Sequence, residues 1–352
     1  MREAILFNLD GREELATNIV KLANHYPIVH GYADIDKPSV TLGKIRNQKF
    51  SDGELCADFV DSVRGKVVYL LSSPNTSDEI IKLELAIDAA KRGNAREIIA
   101  ILPYFPYARQ DKKDQSRGPI GAKVMALKLE AIGATSVITY DLHADQIQGF
   151  FEIPVTHIEG KNVFVDYIAE ITNENTVLCG PDAGSGKRVK RMKEQLIKRH
   201  GINLSYVMMD KTRKEANVIS EMEIIGDVNG KHVIILDDMV DTAGTLCKAA
   251  EVLKDAGALS VRAIISHGVL SGNAFENIGA SELTELIVSD SLPKHDYMKL
   301  CTKDFSEDRC INIRKGSEKI KVISVAEQIG FAMAANNFNL SYEALKNKLE
   351  NA

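Results

Sequence analysis

Tryptophan is absent from the 352-residue sequence, and its five cysteines are scattered without any C-x-x-C pair. This spacing argues against a structural zinc site and against a disulfide framework, and it fits a reducing compartment. The sequence also lacks an apolar run of membrane-spanning length, and its acidic N-terminus does not resemble a signal peptide. We therefore expect a cytoplasmic protein that has no membrane partner.

A large excess of charge of one sign is also missing. The sequence has 44 Lys and Arg against 49 Asp and Glu, for a formal net charge of −5. This balance gives no general electrostatic reason to expect binding to nucleic acid. The basic run at 187–200 spaces its apolar residues as a helix does, which favours a solvated helix face over a nucleic-acid contact. We expect no nucleic-acid partner.

Strand-like and helix-like segments alternate along the chain. Apolar segments at 4–9, 63–73, 96–104 and 135–144 alternate with helical patterns at 13–24, 79–92 and 120–132. A helix at 13–24 is expected to end before Pro27, because proline cannot continue a helix. This alternation predicts an α/β fold with parallel, doubly wound sheets.

The pattern repeats after about 165 residues. RGKVVYLL at 64–71 resembles NGKHVIIL at 229–236, and NAREIIAIL at 94–102 parallels GALSVRAII at 257–265. A single repeat of this length indicates a duplicated domain and not a solenoid. We expect an N-terminal domain at 1–156, a C-terminal domain at 157–324 and a helical tail at 325–352.

The stretch VIILDDMVDTAGT at 233–245 combines a strand, an acidic pair, a small polar loop and the start of a helix. Residues 233–236 predict a buried strand, with Asp237 and Asp238 where the strand ends. The loop presents backbone N–H groups at a helix N-terminus, where the dipole favours a phosphate. The carboxylates suit sugar hydroxyls or a hydrated Mg²⁺. The predicted phosphorylated-sugar site comprises Asp237, Asp238, Asp241, Thr242, Ala243, Gly244 and Thr245. The alternative is a solvated acidic turn followed by a capped helix.

The two copies differ at this point. The first copy reads SSPNTSD at 72–78, where the second reads DDMVDTAGT. Only the second copy has the acidic pair and the phosphate loop, so we expect one sugar-phosphate site per chain.

Two further loops carry groups suited to a nucleotide. In FSDGE, Phe50 could stack on a base, and Asp52 or Glu54 could accept hydrogen bonds from its amino group. In YARQDKKDQSR, Arg109 could hold a phosphate bidentately beside Gln110. The alternatives are an ordinary acidic turn and a solvated basic loop.

Four other residues are candidates for metal binding or charge stabilisation. His143 and Asp182 each lie just beyond an apolar strand, and the pair could hold Mg²⁺ with waters filling most positions. For His143 the alternative is a structural hydrogen bond. Lys211 and Arg213 fall in a polar segment between strand-like stretches, so a mobile loop could carry these two cations to a transferring phosphate.

These motifs together resemble the ribose-phosphate pyrophosphokinase (phosphoribosyl pyrophosphate synthetase) family. VIILDDMVDTAGT resembles the ribose-5-phosphate loop of this family and of type I phosphoribosyltransferases. LPYFPYARQDKK and DLHADQIQGFF resemble sequences particular to the synthetases. The resemblance runs from FSDGE at 50–54 to SVAEQ at 324–328. It implies two tandem type I phosphoribosyltransferase-like domains, each built on a mainly parallel, doubly wound sheet.

The resemblance also implies a role for each candidate residue. The ATP-binding residues would be Phe50, Asp52, Gly53, Glu54, Arg109 and Gln110. The Mg²⁺ positions would be His143 and Asp182. The catalytic residues would be Lys211 and Arg213. Ribose 5-phosphate would be bound by Arg213, Asp237, Asp238, Asp241, Thr242, Ala243, Gly244 and Thr245.

The implied reaction transfers pyrophosphate from ATP to the anomeric hydroxyl of ribose 5-phosphate, releasing AMP, with Mg²⁺ as cofactor. The resemblance further implies a homo-oligomer, a hexamer-of-dimers type of assembly, with the active site near a subunit interface. Two alternatives remain at this point. One is a phosphoribosyltransferase, which shares the central loop, and the other is a non-catalytic, synthetase-associated regulatory subunit.

Overall fold

The computed structural model describes the backbone of residues 3–29, 40–215, 218–293, 299–301 and 317–342. Side chains at 27–29, 183, 211–215, 218–221, 299–301 and 317 lie outside that description. The described chain divides into two compact units. One contains the residues up to Glu159 together with those from Val325 onward, and the other runs from Gly160 to Ser324. The C-terminal helix, which lies in the helical tail predicted at 325–352, therefore groups with the first unit.

The first unit is built on six parallel strands in the order β2-β1-β5-β6-β7-β8, with a separate antiparallel pair, β3 and β4. Its elements are β1 (Ala4–Asn8), α1 (Glu13–Val29), β2 (Val40–Gly43), β3 (Ile45–Lys49), β4 (Leu55–Phe59), β5 (Val67–Leu71), α2 (Ser77–Arg92), β6 (Glu97–Leu102), α3 (Gly121–Ile132), β7 (Ser136–Tyr140) and β8 (Val155–Ile158). Every residue of β1 and β5 is buried, as expected for central strands covered on both faces.

The second unit contains an eight-stranded sheet in the order β11-β10-β9-β12-β13-β14-β16-β15, in which only β10 and β11 pair antiparallel among the described strands. Its elements are α4 (Lys161–Ile171), β9 (Thr176–Gly180), α5 (Gly186–His200), β10 (Ser205–Glu215), β11 (Val218–Ile225), β12 (His232–Val240), α6 (Gly244–Asp255), β13 (Ser260–Gly268), α7 (Ala274–Ala280), β14 (Glu285–Ser289), β15 (Lys299–Cys301) and β16 (Ile320–Ile323).

The strand orders show the duplication directly. Strands β10-β9-β12-β13-β14-β16 of the second unit follow the same order as β2-β1-β5-β6-β7-β8 of the first. The repeated sequences at 64–71 and 229–236 therefore lead into equivalent strands, β5 and β12. The predicted α/β class, with two mainly parallel sheets, is confirmed.

The helix α1 continues past the predicted end. It runs through Pro27 to Val29, so the prediction that it stops before Pro27 is wrong. The helix packs against α8 (Ala326–Asn337), where a side chain on Gly330 would come within 2.8 Å of Leu22 Cβ and 3.0 Å of the Ile19 carbonyl oxygen. The Tyr26 and Phe331 rings also meet edge to face, 5.2 Å apart. This packing outweighs the one hydrogen bond that a proline cannot donate.

No described helix combines the length and the apolar character needed to cross a membrane.

Candidate functional site

The sugar-phosphate loop, residues 237–245, lies at the carboxyl end of the central strand β12. The strand continues to Val240, which pairs with Gly268 of β13, so Asp237 and Asp238 lie within the strand and not beyond it. The predicted end at Leu236 was wrong because pairing with β13 carries the backbone past the acidic pair. The carboxyl edge of a parallel sheet is where open α/β folds bind ligands.

The acidic residues of this loop repel one another. The Asp238 side chain is buried, and its backbone N–H donates to Asp237 Oδ1 at 2.9 Å. Burial, the Asp238 carboxyl and the Asp182 carboxyl raise the pKa of Asp237 to about 7. Crowded carboxyl groups that hold a proton at neutral pH are also suited to a bound cation, which relieves the same repulsion.

Asp182 lies at the end of β9, next to β12 in the sheet. Its Oδ1 accepts a hydrogen bond from the Ser185 backbone N–H at 3.0 Å, which caps the short 3₁₀ turn Ala183–Ser185. The Ser185 hydroxyl donates in turn to the Asp182 carbonyl oxygen at 2.5 Å. One oxygen of the predicted metal ligand is therefore engaged in holding its own turn.

The end of the sugar-phosphate loop has a left-handed backbone. Ala243 is buried and has φ 62° and ψ 0°, a conformation that residues with a Cβ seldom adopt. Helix α6 begins at the next residue, Gly244, and its first N–H groups have no partner within the helix. A buried alanine held in this conformation is consistent with a loop shaped for binding, because such backbone outliers concentrate at ligand sites.

The equivalent position in the first unit is filled by an internal ion pair. The sequence repeat aligns Leu71 of β5 with Leu236 of β12. Counting along the paired strands from Asn8↔Leu71 and Cys179↔Ile235 then makes Asp10 equivalent to Asp182 and Ser73 equivalent to Asp238. Arg12 Nη2 donates to Asp10 Oδ2 at 2.7 Å and to Ser73 Oγ at 2.6 Å.

Both members of this ion pair are almost fully buried, with side-chain exposures of 4% for Arg12 and 3% for Asp10. The Ser73 backbone N–H and the Ser72 hydroxyl also donate to the Asp10 carboxylate, at 2.6 and 3.1 Å. A guanidinium of the chain itself thus lies where the second unit has its acidic cluster. This arrangement supports one sugar-phosphate site per chain.

FSDGE forms the tip of the β3–β4 hairpin. The Phe50 N–H donates to the Glu54 carbonyl oxygen at 2.8 Å, and Gly53, at φ 97°, donates to the Phe50 carbonyl oxygen at 3.0 Å. Asp52 Oδ1 accepts from the Glu54 N–H at 3.1 Å. The Phe50 ring is 46% exposed, which leaves it available to stack on a base. The sequence did not predict this hairpin, because residues 45–49 lack the apolar alternation that marks a strand.

Arg109 and Gln110 lie after β6, at the carboxyl edge of the first sheet, and both side chains are exposed. The preceding Tyr107 has φ 58°, and its carbonyl oxygen accepts the Gln110 N–H at 2.9 Å. Gly121 packs beneath this turn, since a Cβ there would lie 2.6 Å from Gln110 Oε1. The turn is therefore fixed while its two polar side chains face outward.

His143 is exposed just beyond β7, at the carboxyl edge of the first sheet. The preceding Leu142 N–H donates to His157 Nε2 at 3.0 Å, and Asp141 is buried with φ 42°. His143 and Asp182 belong to different units. Within the described ranges, the structure has no group of three or more His, Cys, Asp or Glu side chains arranged to hold a metal ion.

Lys211 and Arg213 lie on β10, and their side chains are outside the described part of the structure. Their backbones pair with Met222 and Ile219 of β11, with register shifts on both sides of Arg213. The sequence predicted a polar loop here, whereas the structure extends the strand through both residues. Antiparallel pairing with β11 accounts for the difference.

A cavity of about 490 Å³ lies at the opposite edge of the second sheet. It is bordered by residues that precede or begin β9 and β10, including Thr176, Leu204 and Ser205. This amino-terminal edge is not where parallel sheets place their ligands. The cavity is therefore separate from the site built around the sugar-phosphate loop.

Comparisons with known proteins bear on the whole chain. Residues 4–133 match the model described as the N-terminal domain of ribose phosphate pyrophosphokinase, and residues 184–331 match the phosphoribosyl synthetase-associated domain. The ribose-phosphate pyrophosphokinase of Wolinella succinogenes is 44% identical over 289 residues, which cover 82% of this chain and 85% of that protein. The chain belongs to the ribose-phosphate pyrophosphokinase family.

Two more members of the ribose-phosphate pyrophosphokinase family support this assignment. The enzyme of Porphyromonas gingivalis is 44% identical over 81% of this chain and 84% of its own length. The crystal structure of phosphoribosylpyrophosphate synthetase from Mycobacterium smegmatis superposes with a TM-score of 0.78 at 31% identity, covering 96% of this chain and all of that one. The predicted family and fold are thus both confirmed.

Proposed function

We propose that the chain is a ribose-phosphate diphosphokinase that serves nucleotide biosynthesis. It transfers pyrophosphate from ATP to the anomeric hydroxyl of ribose 5-phosphate and forms phosphoribosyl pyrophosphate and AMP. Membership of the family supports the reaction. The observation that carries the proposal in this structure is the acidic strand end joined to a phosphate-type loop, present in the second unit and replaced by an ion pair in the first.

Ribose 5-phosphate binds at the sugar-phosphate loop. Asp237 and Asp238 accept hydrogen bonds from the ribose hydroxyls, because carboxylates at this edge suit hydroxyl donors better than they suit a phosphate. The backbone N–H groups of 241–245 and the Thr242 and Thr245 hydroxyls receive the 5-phosphate at the start of α6. Arg213 contributes a further cation to this substrate.

ATP binds through the loops of the first unit. The exposed ring of Phe50 stacks on the adenine, and the hairpin tip of Asp52, Gly53 and Glu54 supplies hydrogen-bond acceptors for its amino group. Arg109 and Gln110, on the fixed turn after β6, contact the phosphates. The exposure of these side chains supports contact with a ligand.

Mg²⁺ is the proposed cofactor, and the residues that would hold it are His143 and Asp182, as the family resemblance implies. Asp182 fits this role, because the neighbouring carboxyl of Asp237 has a raised pKa and a cation there would relieve the repulsion. Bound Mg²⁺ would neutralise charge on the transferring pyrophosphate. Asp237 and Asp238 then keep the ribose oriented.

Catalysis rests on positioning and charge neutralisation. The anomeric oxygen attacks the β-phosphorus in line, a new O–P bond forms, and the bond from the β-phosphorus to the oxygen shared with the α-phosphate breaks to release AMP. The proton of the anomeric hydroxyl passes to solvent water in the same step, so the products are phosphoribosyl pyrophosphate, AMP and one proton. Lys211 and Arg213 stabilise the negative charge that develops during this transfer.

The remaining parts of the proposal concern the cellular location and the oligomeric state of the enzyme. We expect a cytoplasmic homo-oligomer of the hexamer-of-dimers type, with each active site near a subunit interface. Sedimentation velocity with and without phosphate and ADP would measure the assembly. A monomer under all conditions would contradict the expected oligomer.

One assay separates this function from its alternatives. The chain is incubated with ATP, Mg²⁺ and ribose 5-phosphate, and AMP and phosphoribosyl pyrophosphate are measured by chromatography. Equal amounts of both products support the diphosphokinase. A chain that instead consumes phosphoribosyl pyrophosphate with a free base is a phosphoribosyltransferase. A chain inactive in both assays that changes the rate of an active synthetase is a regulatory subunit.

A further inference from the structure

The segment that follows β13 donates hydrogen bonds to three successive residues of the sugar-phosphate loop, 240–242. We call residues 269–277 the brace; they include the turn after β13 and the first half of α7. The backbone N–H groups of Val269 and Leu270 both donate to the Val240 carbonyl oxygen, at 2.9 and 3.2 Å. The next two carbonyl oxygens of the loop, those of Asp241 and Thr242, also accept hydrogen bonds from the brace.

Ser271 holds the next residue in two ways. Its backbone N–H donates to the Asp241 carbonyl oxygen at 3.2 Å, and its hydroxyl donates to Asp241 Oδ1 in a short hydrogen bond. A hydroxyl that donates to a carboxylate stabilises its charged form and fixes its orientation. Ser271 thereby restrains the Asp241 carboxylate, which would repel a nearby phosphate if it turned toward it.

Asn277 donates a hydrogen bond to the third carbonyl of the series, that of Thr242. It lies on α7, and its Nδ2 donates to the Thr242 carbonyl oxygen at 2.9 Å. The Asn277 backbone N–H bonds within the helix, to the Asn273 carbonyl oxygen at 2.9 Å, so only the side chain reaches the loop. The amide is thus a specific contact from one element to another.

The three contacts have a common geometric consequence. In a trans peptide the carbonyl of one residue and the N–H of the next point in opposite directions. Because the carbonyls of Val240, Asp241 and Thr242 all point to the brace, the N–H groups of Asp241, Thr242 and Ala243 all point away from it. These N–H groups lead directly into the first N–H groups of α6, which have no partner within the helix. Successive N–H groups aligned in this way make an anion-binding concavity.

From this geometry, and resting on the proposed function, we propose that Ser271 and Asn277 are positioning residues for the 5-phosphate of ribose 5-phosphate. Neither side chain needs to touch the substrate. By fixing the Asp241 and Thr242 carbonyls, they aim the loop N–H groups at the phosphate. Their loss therefore weakens binding of the sugar phosphate and leaves binding of the nucleotide unchanged.

The test compares Asn277→Ala with Asn273→Ala. Asn273 is the same residue type one helical turn earlier, is exposed, and makes no side-chain cap bond to α7, which makes it a matched control. For Asn277→Ala we expect the KM for ribose 5-phosphate to rise about three- to ten-fold, the range that one net hydrogen bond supplies. The KM for ATP should stay within about two-fold of wild type, because Asn277 acts on the sugar-phosphate loop. The kcat should also stay within about two-fold, because the lost interaction holds the bound substrate and the transition state equally.

Conservative variants exclude a general loss of structure. Ser271→Thr keeps the hydroxyl and should bind ribose 5-phosphate nearly as wild type does, whereas Ser271→Ala should weaken binding. Asn277→Leu provides a second variant of similar size without a donor, in case Asn277→Ala does not fold. Melting curves accompany each variant, since a merely structural role would lower stability and raise both KM values together.

Calorimetric titration with ribose 5-phosphate separates failure of this inference from failure of the proposed function. An active wild-type chain whose Asn277 variants keep their affinity for ribose 5-phosphate overturns the positioning role. A wild-type chain that binds ribose 5-phosphate without forming AMP overturns the diphosphokinase activity, while weaker binding by the Asn277 variants still supports the positioning role. A wild-type chain that does not bind ribose 5-phosphate overturns both.

Discussion

Replacing Asp237 with asparagine is expected to stabilise the metal-free protein at alkaline pH and to abolish turnover. Burial and the neighbouring Asp238 and Asp182 carboxyls raise the pKa of Asp237 to about 7, against an ordinary value of about 3.9. At about 1.4 kcal/mol per pKa unit, this difference lowers the free energy of unfolding at high pH by at most about 4 kcal/mol. Asparagine has nearly the same shape and carries no charge at any pH.

The direction of the pH dependence of stability follows from the number of protons that the folded and unfolded states bind. In the unfolded chain Asp237 loses its proton near pH 4, whereas in the folded protein it keeps the proton up to about pH 7. Between these values the folded state binds more protons than the unfolded state, so the free energy of unfolding falls as pH rises. Asp237→Asn should therefore match wild type near pH 4 and exceed it at pH 8, by about 1–3 kcal/mol once relaxation of the site is allowed for.

The assay is urea unfolding in EDTA at pH 5 and pH 8. Asp227→Asn is the matched control, because Asp227 is exposed and its pKa is lowered by the Asn229 backbone N–H and by Lys231. A lowered pKa contributes stability above pH 4, so this control should gain none at pH 8. Adding Mg²⁺ at pH 8 should stabilise wild type more than Asp237→Asn. An equal stability difference between Asp237→Asn and wild type at both pH values would refute the electrostatic reasoning.

Three further predictions concern other parts of the chain. Lys211→Ala should lower kcat by orders of magnitude and change ribose 5-phosphate affinity little, because the negative charge that Lys211 stabilises develops only during the transfer. An unchanged kcat with weaker substrate binding would remove its catalytic role. Arg12→Met should lower the free energy of unfolding by about 3–5 kcal/mol by leaving the Asp10 carboxylate buried and unpaired, and a double variant with Asp10→Asn should recover part of this loss in urea unfolding. Phe50→Ala should raise the KM for ATP about five- to ten-fold, the value of one aromatic stack, with the KM for ribose 5-phosphate unchanged; unchanged KM for ATP would exclude stacking.

Much of the fold could be predicted from local sequence. The central strands β5 and β12 are apolar runs bounded by polar loops, and buried strands of a parallel sheet require such runs. The repeat at 64–71 and 229–236 also fixed which strands correspond. The residues at 237–245 were predicted as one site because they are adjacent in the chain.

The features that the sequence did not predict depend on contacts between distant segments. The continuation of β12 through Asp238 follows from its pairing with β13, and α1 continues past Pro27 because it packs against α8. Strand β3 is mostly polar, so periodicity gave no signal for the β3–β4 hairpin. Arg12 meets Ser73, 61 positions away, and nothing in either local sequence marks that contact.

The brace illustrates the same limit within the site. Ser271 and Asn277 are ordinary polar residues in a turn and on a short helix, a composition typical of many surface segments. Only the three-dimensional structure shows that they bond to Asp241 and Thr242, 30 and 35 positions away in the chain. The sequence supplied the groups proposed to meet the substrate, whereas the structure was needed to find those proposed to orient them.

The most direct test of the central claim is a time course with the purified chain, ATP, Mg²⁺ and ribose 5-phosphate. Using ATP labelled at its β-phosphate, we predict that the label enters phosphoribosyl pyrophosphate while AMP forms in equal amount, and that omitting ribose 5-phosphate stops both. Release of ADP with transfer of a single phosphate, or no label in a ribose product while AMP accumulates, would contradict the proposed pyrophosphate transfer.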